Sequence, residues 1–261
     1  MAQILGHRWS FYEFRDIFYF SIRKGFREFW MPRKDQKERL GKAVRSLGYT
    51  GRLEDYFDVP EQTFRVEYFG LTKEQKQKLK EVETEFPDPL VQITKRHQVE
   101  NGTLKGDEFS KDEFFDNEKI ERLKDLAIEF PRLVIIAKYS NQIKQIAEAL
   151  KEYNVLTLEG ATKNRSELIN KANRDEECIV IAQASVSAGW ELPNYPVMVF
   201  ASLSYSVVDR LQAIGRIHRA NALKKNLYID LVVKGGIDEE VYKAIQNKED
   251  FVEHIYARKQ K

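Results

Sequence analysis

From Asn117 onward, apolar runs and amphipathic segments alternate at short intervals. A helix over Glu118 to Phe130 stops at Pro131 and leads into the run Leu133-Val-Ile-Ile-Ala137. The pattern then predicts a helix (Asn141 to Lys151), a strand (Val155 to Leu158), a helix (Ser166 to Asn173) and a strand (Cys178 to Ala182). After a loop come the strand Val197 to Ala201, a helix from Ser206, the strand Leu227 to Val233 and a last helix beginning at Asp238. Short runs rich in Val and Ile, alternating with helices, predict an α/β domain with a mainly parallel sheet covered on both faces.

Upstream the pattern is less regular. Leu40, Val44 and Leu47 stand at helical spacing in a charged segment from Asp35 to Leu53, which Gly48 to Gly51 should end. Thr63 to Tyr68 alternates like a strand. Thr72 is a good helix cap, with Gln75 in the capping-box position. Pro87-Asp88-Pro89 breaks that helix, and residues 90 to 117 read as a helix end plus loop whose acidic cluster, Asp107 to Asp116, is solvated. Residues 1 to 34 interleave aromatic side chains such as Trp9, Phe11, Tyr12 and Trp30 with Arg8, Arg15, Arg23 and Arg27. Such a mixture can stack on bases and hold phosphates; the leading reading is a mostly helical segment that packs on a neighbouring domain. The expected division is a mostly helical connector over 1–116 and the α/β domain over 117–261.

Composition narrows the class. With 42% apolar residues the chain can bury a core, and a net charge of only +2 confines any nucleic-acid contact to local patches. The one cysteine, Cys178, excludes an internal disulfide and lies in an apolar run, as a buried small hydrophobe would. The four histidines (His7, His97, His218, His254) have no metal-ligand spacing, so no metal site is expected. No run is long and apolar enough to span a bilayer, and the amino terminus lacks a signal-peptide pattern, so an intracellular protein without a membrane partner is expected.

Candidate chemistry gathers in the helix from Ser206. Ser206 with Asp209 reads as its start, and Gln212, Arg216 and Arg219 share one face at i, i+4 and i+7. Leu211, Ile214 and His218 share another that looks built for burial. Gly215 costs roughly 1 kcal/mol relative to Ala in a helix interior, which suggests close approach by something there. Two guanidinium groups and an amide beside a glycine suit an anion such as a phosphate; a solvated basic face would look the same. In an open parallel sheet, ligands bind beyond the carboxyl ends of the strands. Lys138-Tyr139-Ser140, Glu159 to Thr162, Gln183 to Glu191 and the arginine helix each follow a predicted strand.

Gln212-x-x-Gly215-Arg216-x-x-Arg219 resembles motif VI of superfamily 2 helicases, and Leu211 to Arg219 is similar to the Swi/Snf-type DNA translocases within that group. The other segments follow suit. LVIIAKYSNQIKQIAEAL resembles motif IV, with Lys138 where Gln is common. LTLEGATKNRSELINKAN is similar to the element that follows it, placing Thr162 and Arg165 for a backbone phosphate; Ala and Asn in NKAN depart from the pattern. IAQASVSAGWELPNYPVMVF resembles motif V, with Gly189 matching its glycine and Gln183 standing where Thr is common. The run VPEQTFRVEYFGLTKEQKQKLKEV is similar to the connector after the family's first lobe.

The resemblance implies a RecA-like three-layer domain, the second lobe of an ATP-dependent DNA helicase or translocase. It implies Arg216 and Arg219 as arginine fingers, Gln212 orienting them or the nucleotide, Gly189, Glu191 and Gly215 beside the nucleotide, and Glu191 near its sugar. Lys138, Thr162, Arg165, Gln183, Ser185 and Ser187 would touch the backbone of DNA, in duplex form. ATP hydrolysis in this class needs a phosphate-cradling loop with Lys and Ser/Thr and an acid holding Mg²⁺. Gly41-Lys42-Ala43 lacks the upstream glycine and the hydroxyl, and Asp175-Glu176-Glu177-Cys178 precedes its strand where a Walker-type acid must follow one. ATP and Mg²⁺ are therefore expected to be held mainly by a first RecA-like lobe, in cis or in trans, with at most its last segments at residues 1–60 of this chain. Alone, the chain is expected to be inactive as an ATPase. Two alternatives stay open: a non-catalytic nucleic-acid-binding module, and a scaffold docking through its aromatic amino terminus.

Overall fold

The computed structural model describes residues 10–24, 27–33, 35–36, 57–106, 110–186, 189–220, 222 and 225–247. The helix expected over Asp35 to Leu53 falls largely outside them, as does Ser187. The chain separates into two compact units, Met1–Phe57 and Asp58–Lys261.

In the first unit, α1 (Phe11–Phe18) begins at a complete capping box between Ser10 and Glu13. It leads into an antiparallel hairpin, β1 (Tyr19–Lys24) paired with β2 (Arg27–Pro32). The aromatic segment is thus part helix and part hairpin, where mostly helix was expected. Aromatic side chains suit a pleated surface as well as a helix face. The Arg15 guanidinium lies 3.7 Å from the Trp30 ring centre, an interleaving internal to the unit. Phe11 and Tyr12 are exposed.

The second unit is built on a six-stranded sheet in the order β3-β10-β9-β6-β8-β7, with every neighbouring pair parallel. Its strands are β3 (Gln62–Phe69), β6 (Arg132–Ala137), β7 (Val155–Leu158), β8 (Cys178–Gln183), β9 (Val197–Phe200) and β10 (Asn226–Val233). Successive side chains of a strand point to opposite faces, and the packing follows that alternation. Leu133, Ile135 and Ala137 of β6 face α4 (Glu118–Glu129) and α5 (Ser140–Ala149). Val134 and Ile136 face the layer of α6 (Arg165–Arg174), α7 (Val207–Ile217) and α8 (Ile237–Gln246). The three-layer expectation is met, and Cys178 is buried as expected.

Residues 58–116 share this unit. β3 pairs along its length with β10 as the edge strand of the sheet. α2 (Lys73–Glu85) carries the expected Thr72–Gln75 capping box. The passage after Pro87 differs from a helix end plus loop: α3 (Pro89–Glu100) is a full helix, capped by Asp88 with proline at its first position. A two-residue ladder of β4 (Thr103–Leu104) and β5 (Glu113–Phe114) follows it. Val82, Val99, Leu104 and Phe115 form a small separate core there.

Candidate functional site

The predicted residues fall into two groups. Lys138, Thr162, Arg165, Gln183 and Ser185 lie at or just past the carboxyl ends of β6, β7 and β8. Several of them build the rim itself. The Thr162 hydroxyl accepts from the Glu159 amide (2.9 Å), and Gln183 Oε1 accepts from the Gly160 amide (3.2 Å). Arg165 donates to the carbonyls of Glu159 (3.0 Å) and Gly160 (2.8 Å), and its Nε is buried with no partner among the described residues. Ser185 is exposed in the short 3-10 turn after β8.

The second group lies along the flank. Ser206 caps α7 at the rim, its hydroxyl accepting from the Asp209 amide as expected. A helix following a parallel strand runs back toward the amino ends, so Arg216 in the last turn is roughly 14 Å along the axis from the rim. It meets the segment Gly189–Leu192 on its way back from β8 to β9. Arg216 donates to the Trp190 carbonyl (3.1 Å) and the Gln212 carbonyl (3.0 Å), while its own carbonyl accepts from the Leu192 amide (2.9 Å). Gln212 thus holds Arg216 through its main chain; its side chain is exposed.

Two expectations for this helix are corrected. It ends at Ile217, so Arg219 lies beyond it and does not share a helical face with Gln212 and Arg216. The buried stripe is Arg210, Ala213 and Ile217, whereas Leu211 is 61% exposed. Arg210 can occupy that stripe because Asp230 of β10 accepts both its Nη atoms, at 2.5 and 2.8 Å. Around Gly215, a Cβ would meet nothing within 4 Å among the described residues.

Arg219 reaches Glu191, with Nη2 2.6 Å from Oε1. Its Nε is buried with no partner among the described residues. Burial first, and then the Arg219 charge, pull Arg216 below the ordinary arginine value, with the Glu191 charge opposing them. Beside them is a depression of about 400 Å³, lined by Ser166, Asn170, Asn173, Gly189, Glu191 and Arg216. Asn173 donates to the Glu191 carbonyl (3.0 Å), and its own Oδ1 is buried with no partner among the described residues. Gly189 has a φ of 85°, which a glycine adopts without strain. A larger cavity of about 880 Å³ between α4 and α5 contains none of the predicted residues.

Residues 118–221 match the family model of the helicase conserved C-terminal domain. They are a helicase C-terminal domain. The resemblance noted in the sequence is borne out at that level, and both groups of candidates fall within the matched residues. ATP-dependent helicase fft2 of Schizosaccharomyces pombe is 25% identical to this chain over 157 residues, 56% of the chain and 12% of fft2. The chain thus spans a small part of that relative's length. A crystal structure of the C-terminal part of the Fun30 ATPase domain superposes with a TM-score of 0.56, covering 71% of this chain and 89% of that one. At 17% identity this shows a shared fold, here the RecA-like arrangement.

Around the helicase C-terminal domain lies a buried polar network that sequence reading missed. Asp238, fully buried in the first turn of α8, accepts from Lys119 of α4, from Asn101 Nδ2 (3.2 Å) and from the Val233 amide (3.3 Å). His97 Nε2 is 2.6 Å from its Oδ1. Although burial opposes ionisation, the Lys119 charge and the hydrogen bonds from His97 and Lys119 hold Asp238 below the ordinary aspartate range. Glu100 caps α8, accepting from the Ile237 (2.9 Å) and Asp238 (3.1 Å) amides. Burial, and then the Asp238 charge, raise its pKa to about 7. Local signals offered little here, because the partners lie up to 141 residues apart.

Proposed function

We propose that this chain is the second lobe of an ATP-dependent DNA helicase or translocase. ATP held mainly by a first RecA-like lobe would present its γ-phosphoryl group to Arg216 and Arg219, which stabilise the charge developing during transfer. The observation that carries this reading is the Arg216–Arg219–Glu191 cluster inside a helicase C-terminal domain. There Arg219 is ion-paired to Glu191 through Nη2, and Arg216, donating to the Trp190 and Gln212 carbonyls, feels the charges of both. A phosphate replacing Glu191 on Arg219 satisfies both arginines. Glu191 is then released toward the nucleotide sugar, with Gly189 and Gly215 leaving room at the flank and Gln212 fixing Arg216. Among the described residues no cluster of His, Cys, Asp and Glu is suited to a metal ion. The Mg²⁺ that accompanies ATP is assigned to the other lobe because this chain lacks a phosphate-cradling loop with Lys and Ser/Thr and an acid that follows a strand, and no step here runs through it.

Lys138, Thr162, Arg165, Gln183 and Ser185 at the rim, together with Ser187, contact the backbone of duplex DNA, which positions the lobe without reading sequence. ATP-driven opening and closing of the two lobes then steps the rim along the DNA. The setting is intracellular, where DNA is kept; no helix among the described residues is long and apolar enough to cross a membrane. The test is Arg219→Ala in the two-lobed protein. Turnover should fall by roughly 10³ to 10⁵ with ATP binding retained, and the 261-residue chain alone should not hydrolyse ATP. Robust hydrolysis by the chain alone, or wild-type turnover by the variant, would refute the assignment.

The internal pairing of Arg219 with Glu191 favours one other reading, a non-catalytic nucleic-acid-binding module. Salt-dependent DNA binding with no ATPase effect of Arg216 or Arg219 substitutions would establish it.

A further inference from the structure

His97 lies on α3, outside the matched helicase C-terminal domain, yet its ring is fully buried against the rim of the sheet. Burial lowers its pKa against the opposing pull of Asp238, so the neutral imidazole is the form present. Asp238 can only accept, which puts the imidazole proton on Nε2 and leaves Nδ1 as an acceptor. Two hydroxyls converge on that nitrogen: Tyr139 at 2.8 Å and Tyr205 at 3.1 Å, themselves 3.5 Å apart. Tyr139 follows β6, and Tyr205 lies in the loop between β9 and α7.

The two tyrosines in turn hold Lys138. Its Nζ sits 3.8 Å from the Tyr205 ring centre and 5.9 Å from that of Tyr139. A cation over an aromatic face is held without losing its capacity to donate to an anion. Among the described residues no acceptor or ion-pair partner occupies the Lys138 ammonium. The charge of Asp209 acts on it, and burial lowers its pKa. Lys138 is thus a cation fixed in direction and open to a phosphate, and what fixes it begins at His97.

We infer that His97 is a positioning residue for nucleic-acid binding: it pins the hydroxyls of Tyr139 and Tyr205, which fix the aromatic face carrying Lys138. The connector helix α3 thereby sets a backbone contact of a domain it does not belong to. Asp238, held by Lys119 and Asn101, anchors the other side of the imidazole. This rests on the reading of Lys138 as a phosphate contact, and the two can fail separately.

The test measures binding of the full chain to a fluorescein-labelled DNA duplex by anisotropy, from roughly 50 to 200 mM salt. A lysine that neutralises one phosphate contributes about 0.9 to the slope of log K against log salt, or about eightfold in Kd at 0.1 M. Lys138→Ala should reduce the slope by about that amount. His97→Gln should reduce it equally, and the double substitution should match either single one. A purely structural role for His97 would lower the fraction folded, seen by circular dichroism, and leave the slope of the folded fraction unchanged. Should His97→Gln fail to fold, Tyr205→Leu carries the same comparison, because it removes the ring on which Lys138 rests. A folded His97 or Tyr205 variant with the wild-type slope, or with losses that multiply those of Lys138→Ala, overturns the inference. An unchanged slope in Lys138→Ala overturns the phosphate contact itself.

Discussion

Glu100→Gln should change how the stability of this chain depends on pH, in a direction fixed by the structure. The folded carboxyl has a pKa of about 7 against an ordinary 4.5. Between those values the folded chain keeps a proton that the unfolded chain has released. Stability is therefore lost as pH rises through that window and is level above it. At about 1.4 kcal/mol per pH unit, the full span amounts to about 3 kcal/mol. His97 works the other way: burial keeps it neutral when folded, while the unfolded chain takes up a proton below 6.5, so its contribution is lost as pH falls. The wild-type profile mixes the two, and the difference between wild type and Glu100→Gln isolates the carboxyl. Urea unfolding from pH 4.5 to 8 should show wild type losing about 3 kcal/mol relative to the variant. A difference that stays level across that range would mean that Glu100 is not buried against the Asp238 charge.

Two further outcomes follow from the same geometry. Lys119→Met removes the cation that donates to Asn101 (2.7 Å), to the Ala201 carbonyl (3.0 Å) and to Asp238. It should cost about 3–5 kcal/mol by urea unfolding, because it strands a buried carboxylate; a loss below about 1 kcal/mol would contradict the network. Gly215→Ala should raise the melting temperature of the isolated chain, through a gain of about 0.5–1 kcal/mol in helix propensity. A loss would show that something in this chain does crowd that face.

How far the sequence could be read follows from where each partner lies. Parallel strands buried on both faces are near-continuous apolar runs, so β6 to β10 were found within a residue or two. α3 was missed because its last turn is buried through His97, Gln98 and Glu100, which interrupt any apolar periodicity. The buried stripe of α7 was misread for a related reason. Arg210 looks like a surface residue until Asp230, 20 positions later, is placed beside it. The candidate residues were legible as types in order along the chain. Their division into a rim and a flank was not, because it depends on how far the return helix runs. The ion pair of Arg219 with Glu191 needed the fold to bring two loops together.

The placement of β10 between β3 and β9 bears on where the polypeptide can be cut. The stretch recognisable as a helicase C-terminal domain, 118–221, stops before β10 begins and starts long after β3 ends. Trimmed to that stretch, the chain would leave β9 with a raw hydrogen-bonding edge flanked by Val197 and Val199, and would deprive Arg210 of Asp230. Such an edge invites pairing between copies. The smallest piece that closes its own sheet runs from before Gln62 to beyond Val233, a boundary drawn by backbone hydrogen bonds and not by family likeness.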